Sequence, residues 1–139
     1  MTMPALRTNK VLFVNPPSVS HKYLTRALAG EPVPFASAIV FPMGILYCAA
    51  VLERDLPGID IRVLDLGKAY AQYLKCETFE PTTLGAFSAG RINAEIPEDF
   101  TPDFIGVSVL FSSAHRLLLE ITDELRRLWI AFDKLGQPF

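Results

Sequence analysis

Runs of apolar positions divide the chain into alternating short and long elements. Residues 10–17, KVLFVNPP, open with four consecutive apolar side chains, Val11 to Val14. An unbroken run of this kind predicts a strand buried on both faces. The two prolines that follow end it, because neither can donate to a sheet ladder. Residues 43–54, MGILYCAAVLER, predict a helix, preceded by Pro42 and closed by Pro57 and Gly58. Ile45, Leu46, Ala49, Ala50 and Leu52 give it a broad apolar face, and its two alanines permit close packing on a sheet. Residues 61–67, IRVLDLG, predict a second strand, hydrophobic apart from Arg62 until Asp65 at its carboxyl end. A short amphipathic helix is expected over 68–75. The third predicted strand is 103–111, DFIGVSVLF. Ser112 or Ser113 then caps a long helix that ends near Leu135, with Gly136 as its stop signal. Along that helix Leu118, Ile121, Leu125, Leu128 or Trp129, and Phe132 recur every three to four residues. Glu120, Asp123, Glu124, Arg126 and Arg127 take the opposite side.

Two stretches lack a clear period. Residues 18–42 carry Gly30, Pro32 and Pro34 and predict a long irregular connection, with a helical turn around 23–28. Phe35, Ile39, Val40 and Phe41 make it an ordered lid rather than a floppy linker. Residues 76–102, with Pro81, Gly85, Gly90 and Pro97, predict a loop with one helical turn. The resulting order is strand, helix, strand, short helix, strand, helix. It predicts an α/β protein of parallel βαβ units, a partial Rossmann-like, flavodoxin-type three-layer fold with core strand order 2-1-3. One domain is expected over 10–139, behind a tail of residues 1–9. In such sheets ligands bind outside the carboxyl ends of the strands. Those ends are Asn15-Pro16-Pro17, Asp65-Leu66-Gly67 and Leu110-Phe111-Ser112.

Composition narrows the partners. Of the 139 residues, half are hydrophobic and a fifth charged, with a net charge of -2. This suits a folded globular chain and argues against a non-specific nucleic-acid binder, which needs a basic face. No apolar run reaches the roughly 18–20 residues of a membrane span, and the amino terminus lacks a signal-peptide core. A cytoplasmic location is the default expectation. Self-association is expected through an exposed sheet edge. The two cysteines, Cys48 and Cys76, form no metal-ligand pattern and are expected to be reduced, with Cys48 acting as a small hydrophobe.

Several chemistries find no support. NPPS after the first strand is not a Gly-rich phosphate fingerprint, and no Walker A pattern occurs. Asp65 therefore reads better as a loop-capping carboxylate than as a ribose ligand. His21 and His115 are isolated and read as surface or packing residues. Glu95, Glu98 and Asp99 read as a solvated loop. No acidic pair ends the first strand, which disfavours a response-regulator-like phosphoacceptor at Asp65. Ser108 stands out as a hydroxyl within an apolar strand, where a partner is required because an unpaired buried polar group costs about 1–3 kcal/mol. That partner is either a neighbouring carbonyl or a ligand.

Taken in order, KVLFVNPPS, FPMGILYCAAVLE, IRVLDLG and PDFIGVSVL resemble the N-terminal cobalamin-binding domain of B12-dependent radical SAM enzymes. In that family a strand ending in NPP precedes a P-[LM]-G-[LI] helix start, a strand ending in LD and a PD-x-[IV]-G-[IV]-S strand. The resemblance implies that cobalamin is the cofactor and that the Ser108-Val109-Leu110 segment matches the fold's SxL signature. Ser108 would then hydrogen-bond the dimethylbenzimidazole of the nucleotide tail, and Leu110 would shape the slot for that ring. Asn15, Pro16, Pro17, Met43 and Gly44 would line the corrin face. With Asp65, Phe111 and Ser112 from the strand ends, these form the candidate cofactor-binding set.

The family's DxHxxG histidine is absent, so base-off binding without a histidine on cobalt is implied. The GG signature, the CxxxCxxC cluster site for [4Fe-4S] and the S-adenosylmethionine site are also absent. The resemblance therefore casts the chain as part of a longer enzyme of methyltransferase or ring-forming type, or as a truncated product. It would partner a radical SAM domain and carry no catalytic residue itself. The alternatives are a cofactor-free structural or substrate-positioning module and an inactive fragment.

Overall fold

A computed structural model describes residues 10–33, 42–76, 78, 80–108 and 115–134. Side chains of the last helix are described over 116–127. The elements run β1 (Lys10–Asn15), α1 (His21–Leu28), α2 (Met43–Asp55), β2 (Asp60–Asp65), α3 (Leu66–Leu74), α4 (Leu84–Glu95), β3 (Phe104–Val107) and α5 (His115–Lys134). The three strands form one parallel sheet in the expected order β2-β1-β3. Phe13 of the central strand pairs with Val63 on one side and Gly106 on the other.

The sheet's two faces are covered unequally. Leu12, Val14 and Leu64 point into the larger core with Leu24 and Leu28 of α1, Tyr70 of α3, Phe87 of α4, and Leu117, Ile121 and Leu125 of α5. On the other face, among the described residues, Val11 and Phe13 meet Ile45 and Ala49 of α2, with Leu52, Ile59 and Ile61 at the margin. Of the described helices, four thus contribute to the core on one face and one to the other. Val63 and Phe104, on the lone-helix face by strand alternation, stay 37% and 55% exposed.

Three helices start on side-chain caps. Ser20 accepts from the Tyr23 amide, Asp65 from Lys68, and Thr83 from Ala86, each satisfying one amide of a first turn. Two of these helices are fuller than the sequence pattern predicts. The turn expected near 23–28 is an eight-residue helix. The loop expected over 76–102 contains the twelve-residue α4. Gly85 and Gly90 weaken its apolar period, but Gly85 has a packing reason. A Cβ there would stand 3.1 Å from the Glu124 carboxylate of α5, so tertiary contact outweighs glycine's helix cost.

The α5 stripe is also rotated from expectation. Leu117, not Leu118, joins Ile121 and Leu125 at full burial, and Leu118 is half-buried. The expected Leu128, Trp129 and Phe132 contacts lie outside the described side chains, and the lid residues 34–41 lie outside the described residues. Among the described residues no helix is long and apolar enough to cross a membrane.

Candidate functional site

The carboxyl edge of the sheet holds two distinct arrangements. At the ends of β1 and β2, Asn15 is buried and its Nδ2 donates to Asp65 Oδ1 at 3.0 Å. The same oxygen accepts the Lys68 amide at 3.0 Å. One carboxylate therefore ties two neighbouring strands and opens α3. The NPP turn packs on this knot: a Cβ on Gly67 would lie 3.5 Å from the Pro16 carbonyl and 3.7 Å from the Pro17 Cα. Pro17 is buried and Pro16 half-buried. Asp65 thus has the capping role its position in the sequence suggests.

The second arrangement is an open groove of about 280 Å³ between α2 and the end of β3. Phe13, Gly44, Ile45, Cys48, Gly106, Val107 and Ser108 line it. The lining is apolar and carries no charge, which suits a neutral ring rather than a phosphate. Glycines face it from both sides. Nothing lies within 4 Å of a Cβ built on Gly44, so the helix leaves open space there. A Cβ on Gly106 would stand 2.8 and 2.9 Å from two ring carbons of Phe13. The Phe13 ring therefore requires glycine beside it.

Ser108 follows the last residue of β3 rather than lying mid-strand. Its backbone amide donates to the Val14 carbonyl at 3.0 Å, extending the pairing with β1. By alternation its side chain falls on the same face as Gly106 and Phe104. Gly44 and Ser108 are thus brought together. Met43 is 65% exposed beside Gly44. Asn15, Pro16, Pro17 and Asp65 form the separate knot. Leu110, Phe111 and Ser112 lie outside the described residues.

Cys48 departs from expectation. It is exposed and lines the groove rather than filling the core. Its spacing of four from Gly44 places both on one flank of α2, a signal the apolar run conceals. Cys76 is also free and exposed. Hydrogen bonds from the Thr78 side chain and backbone hold its thiol below the usual range. Iodoacetamide at pH 8, followed by peptide mass spectrometry, should modify Cys76 first, because the thiolate is the nucleophile. Thr78→Val should slow that reaction severalfold; equal rates in both proteins would disprove the assignment.

Two further titratable groups sit within the fold. His21 Nε2 lies 2.7 Å from Glu120 Oε1, joining the start of α1 to α5. Burial, with Tyr23 as a smaller cause, pushes the Tyr70 phenol up, so it stays neutral in the core. Among the described residues no cluster of three or more His, Cys, Asp or Glu could hold a metal. Comparison with family models, with curated proteins and with solved structures finds no match for this chain.

Proposed function

We propose that this chain is the cobalamin-binding portion of a B12-dependent radical SAM enzyme, holding the nucleotide tail in the groove between α2 and β3. The observation that carries the reading is the groove itself. It lies at the carboxyl end of a parallel sheet, is uncharged, and places Ser108 opposite Gly44. A neutral benzimidazole needs an apolar slot and one hydrogen-bond donor, and these residues supply both. At about 280 Å³ the space suits one ring system rather than a whole corrinoid, for which sites of roughly 300–1,000 Å³ are usual even for smaller ligands. The corrin would lie outside, over the strand ends. The engagement of His21 with Glu120 agrees with base-off binding that uses no histidine from this loop. When bound, cobalamin would supply the methyl-transfer or related chemistry, and the chain's own residues bind and orient it.

A second reading, a cofactor-free positioning module, draws on the Asn15–Asp65 knot. There two of the expected binding residues satisfy one another. Reconstitution with hydroxocobalamin, followed by desalting and an absorption spectrum, separates the two. The cobalamin reading expects retained corrin in a base-off spectrum and slower iodoacetamide labelling of Cys48 but not of Cys76. Ser108→Ala should weaken retention about tenfold, the equivalent of one hydrogen bond. Gly44→Leu should abolish it by filling the slot, with helix content unchanged. A folded protein that retains no corrin favours the second reading.

A further inference from the structure

We propose that a second pocket, between α1 and α3, binds a small uncharged alcohol through Tyr23. The pocket measures about 240 Å³. Ala27 of α1, Leu74 of α3, and Pro32 and Val33 beyond α1 give it apolar walls, and Tyr23 adds a ring that carries a hydroxyl. Both helices belong to the larger core, so the pocket lies on the face of the sheet away from the α2 groove. The turn that frames it is fixed by the chain itself. Gly30 takes a φ of 82°, a conformation open to a residue without a Cβ. Its amide donates to the Ala27 carbonyl and the Glu31 amide to the Arg26 carbonyl, both at 3.1 Å. This is a Schellman closure of the helix end. A wall already ordered in this way lowers the cost of binding.

Charge narrows the occupant. Glu31 is the one charged side chain that lines the pocket, and Arg26 Nε holds its carboxylate at 2.6 Å. With that charge already paired, an ion would leave water for apolar walls without compensation. The walls suit a short hydrocarbon body. The Tyr23 hydroxyl both donates and accepts, and an alcohol can use either capacity.

Behind Tyr23 stands Tyr70, one turn before Leu74 on α3. Its hydroxyl is buried and makes no hydrogen bond. Burial, and after it the nearness of Tyr23, holds that phenol above its usual range, so the two rings are neighbours whose hydroxyls stop short of bonding. A buried hydroxyl left without a bond points to a missing partner. A ligand seated against Tyr23 from the pocket side presses that ring toward Tyr70 and closes the bond. Tyr70 is therefore a positioning residue that acts through Tyr23.

Benzyl alcohol, titrated into the full chain and followed by amide correlation spectra, tests the site. A saturable dissociation constant of about 0.1–1 mM is expected for so small a molecule. The amides of Gly30, Glu31, Val33 and Leu74 should shift, and those of Gly44 and Ser108 should not. Toluene, which lacks the hydroxyl, should bind about tenfold more weakly. Tyr23→Phe should erase the advantage of the alcohol over toluene. Tyr70→Phe should weaken the alcohol about threefold and leave the urea midpoint unchanged or higher, because an unpaired buried hydroxyl gives the fold nothing. Val33→Trp should fill the pocket and abolish binding with helix content unchanged. Absence of saturable shifts at the pocket amides overturns the proposal. So does equal affinity for toluene, binding that survives Val33→Trp, or a loss of stability in Tyr70→Phe. The result is independent of whether the groove across the sheet retains a corrin.

Discussion

Replacing Asp65 with alanine is expected to cost about 2–4 kcal/mol of stability. Roughly 1 kcal/mol is a lost helix cap and about 1–3 is a buried amide left without its acceptor. The carboxylate oxygen receives both the Asn15 side chain and the Lys68 amide, so one substitution orphans two donors. Asp65→Asn keeps an oxygen at that position and should cost less than about 1 kcal/mol, since asparagine caps nearly as well. Urea denaturation measures both. In a double-mutant cycle with Asn15→Ala the two losses should overlap, because either change breaks the same bond. Additive losses would show that Asn15 and Asp65 act separately. A loss for Asp65→Ala below about 1 kcal/mol would show that the knot does not hold the two strands together.

The second large effect concerns Gly106. Valine is a better strand residue than glycine by propensity, yet Gly106→Val should destabilise by about 1–3 kcal/mol through overpacking. The cause is the Phe13 ring, 2.8 Å from the position a Cβ must take. That ring is buried against Ile45 and Ala49 of α2, and displacing it would break those contacts. Phe13→Leu should be harmful alone and partly compensating beside Gly106→Val. Thermal unfolding of the four proteins gives the sign of the coupling. A neutral or stabilising Gly106→Val would mean that the ring moves freely.

These residues also show which parts of the molecule can be read from the chain. The strands were legible because short, largely apolar runs suit buried parallel strands, and the parallel arrangement because helices alternate with them. α2 was legible from its length and its apolar spacing between Pro42 and Pro57. α4 was hidden because Gly85 and Gly90 break its apolar period, and Gly85 answers to Glu124, a partner far away in sequence. The rotation of α5 was hidden because Leu117, Leu118 and Leu119 are equally apolar, and only contact with the sheet selects Leu117.

The site was legible in part. Ser108 stood out in the local sequence and Gly44 was nominated through the family resemblance, and both line one groove. Phe13, Cys48 and Gly106 could not be placed there, since their roles depend on how α2 lies across β1 and β3. The NPP turn and Asp65 were nominated together with the groove, but hydrogen bonding gathers them into a separate structural knot.

The larger core has a consequence for synthesis. Leu12, Val14 and Leu64 are complete neighbours only when Leu117, Ile121 and Leu125 of α5 arrive. At about 5–20 residues per second the ribosome takes roughly 3–12 s to pass from the end of β2 to Leu125. Through that interval the nascent sheet has its apolar face uncovered on the α5 side. Transiently exposed apolar surface of this kind is prone to aggregate. The His21–Glu120 pair, which joins the first helix to the last described one, can form only once that interval is over.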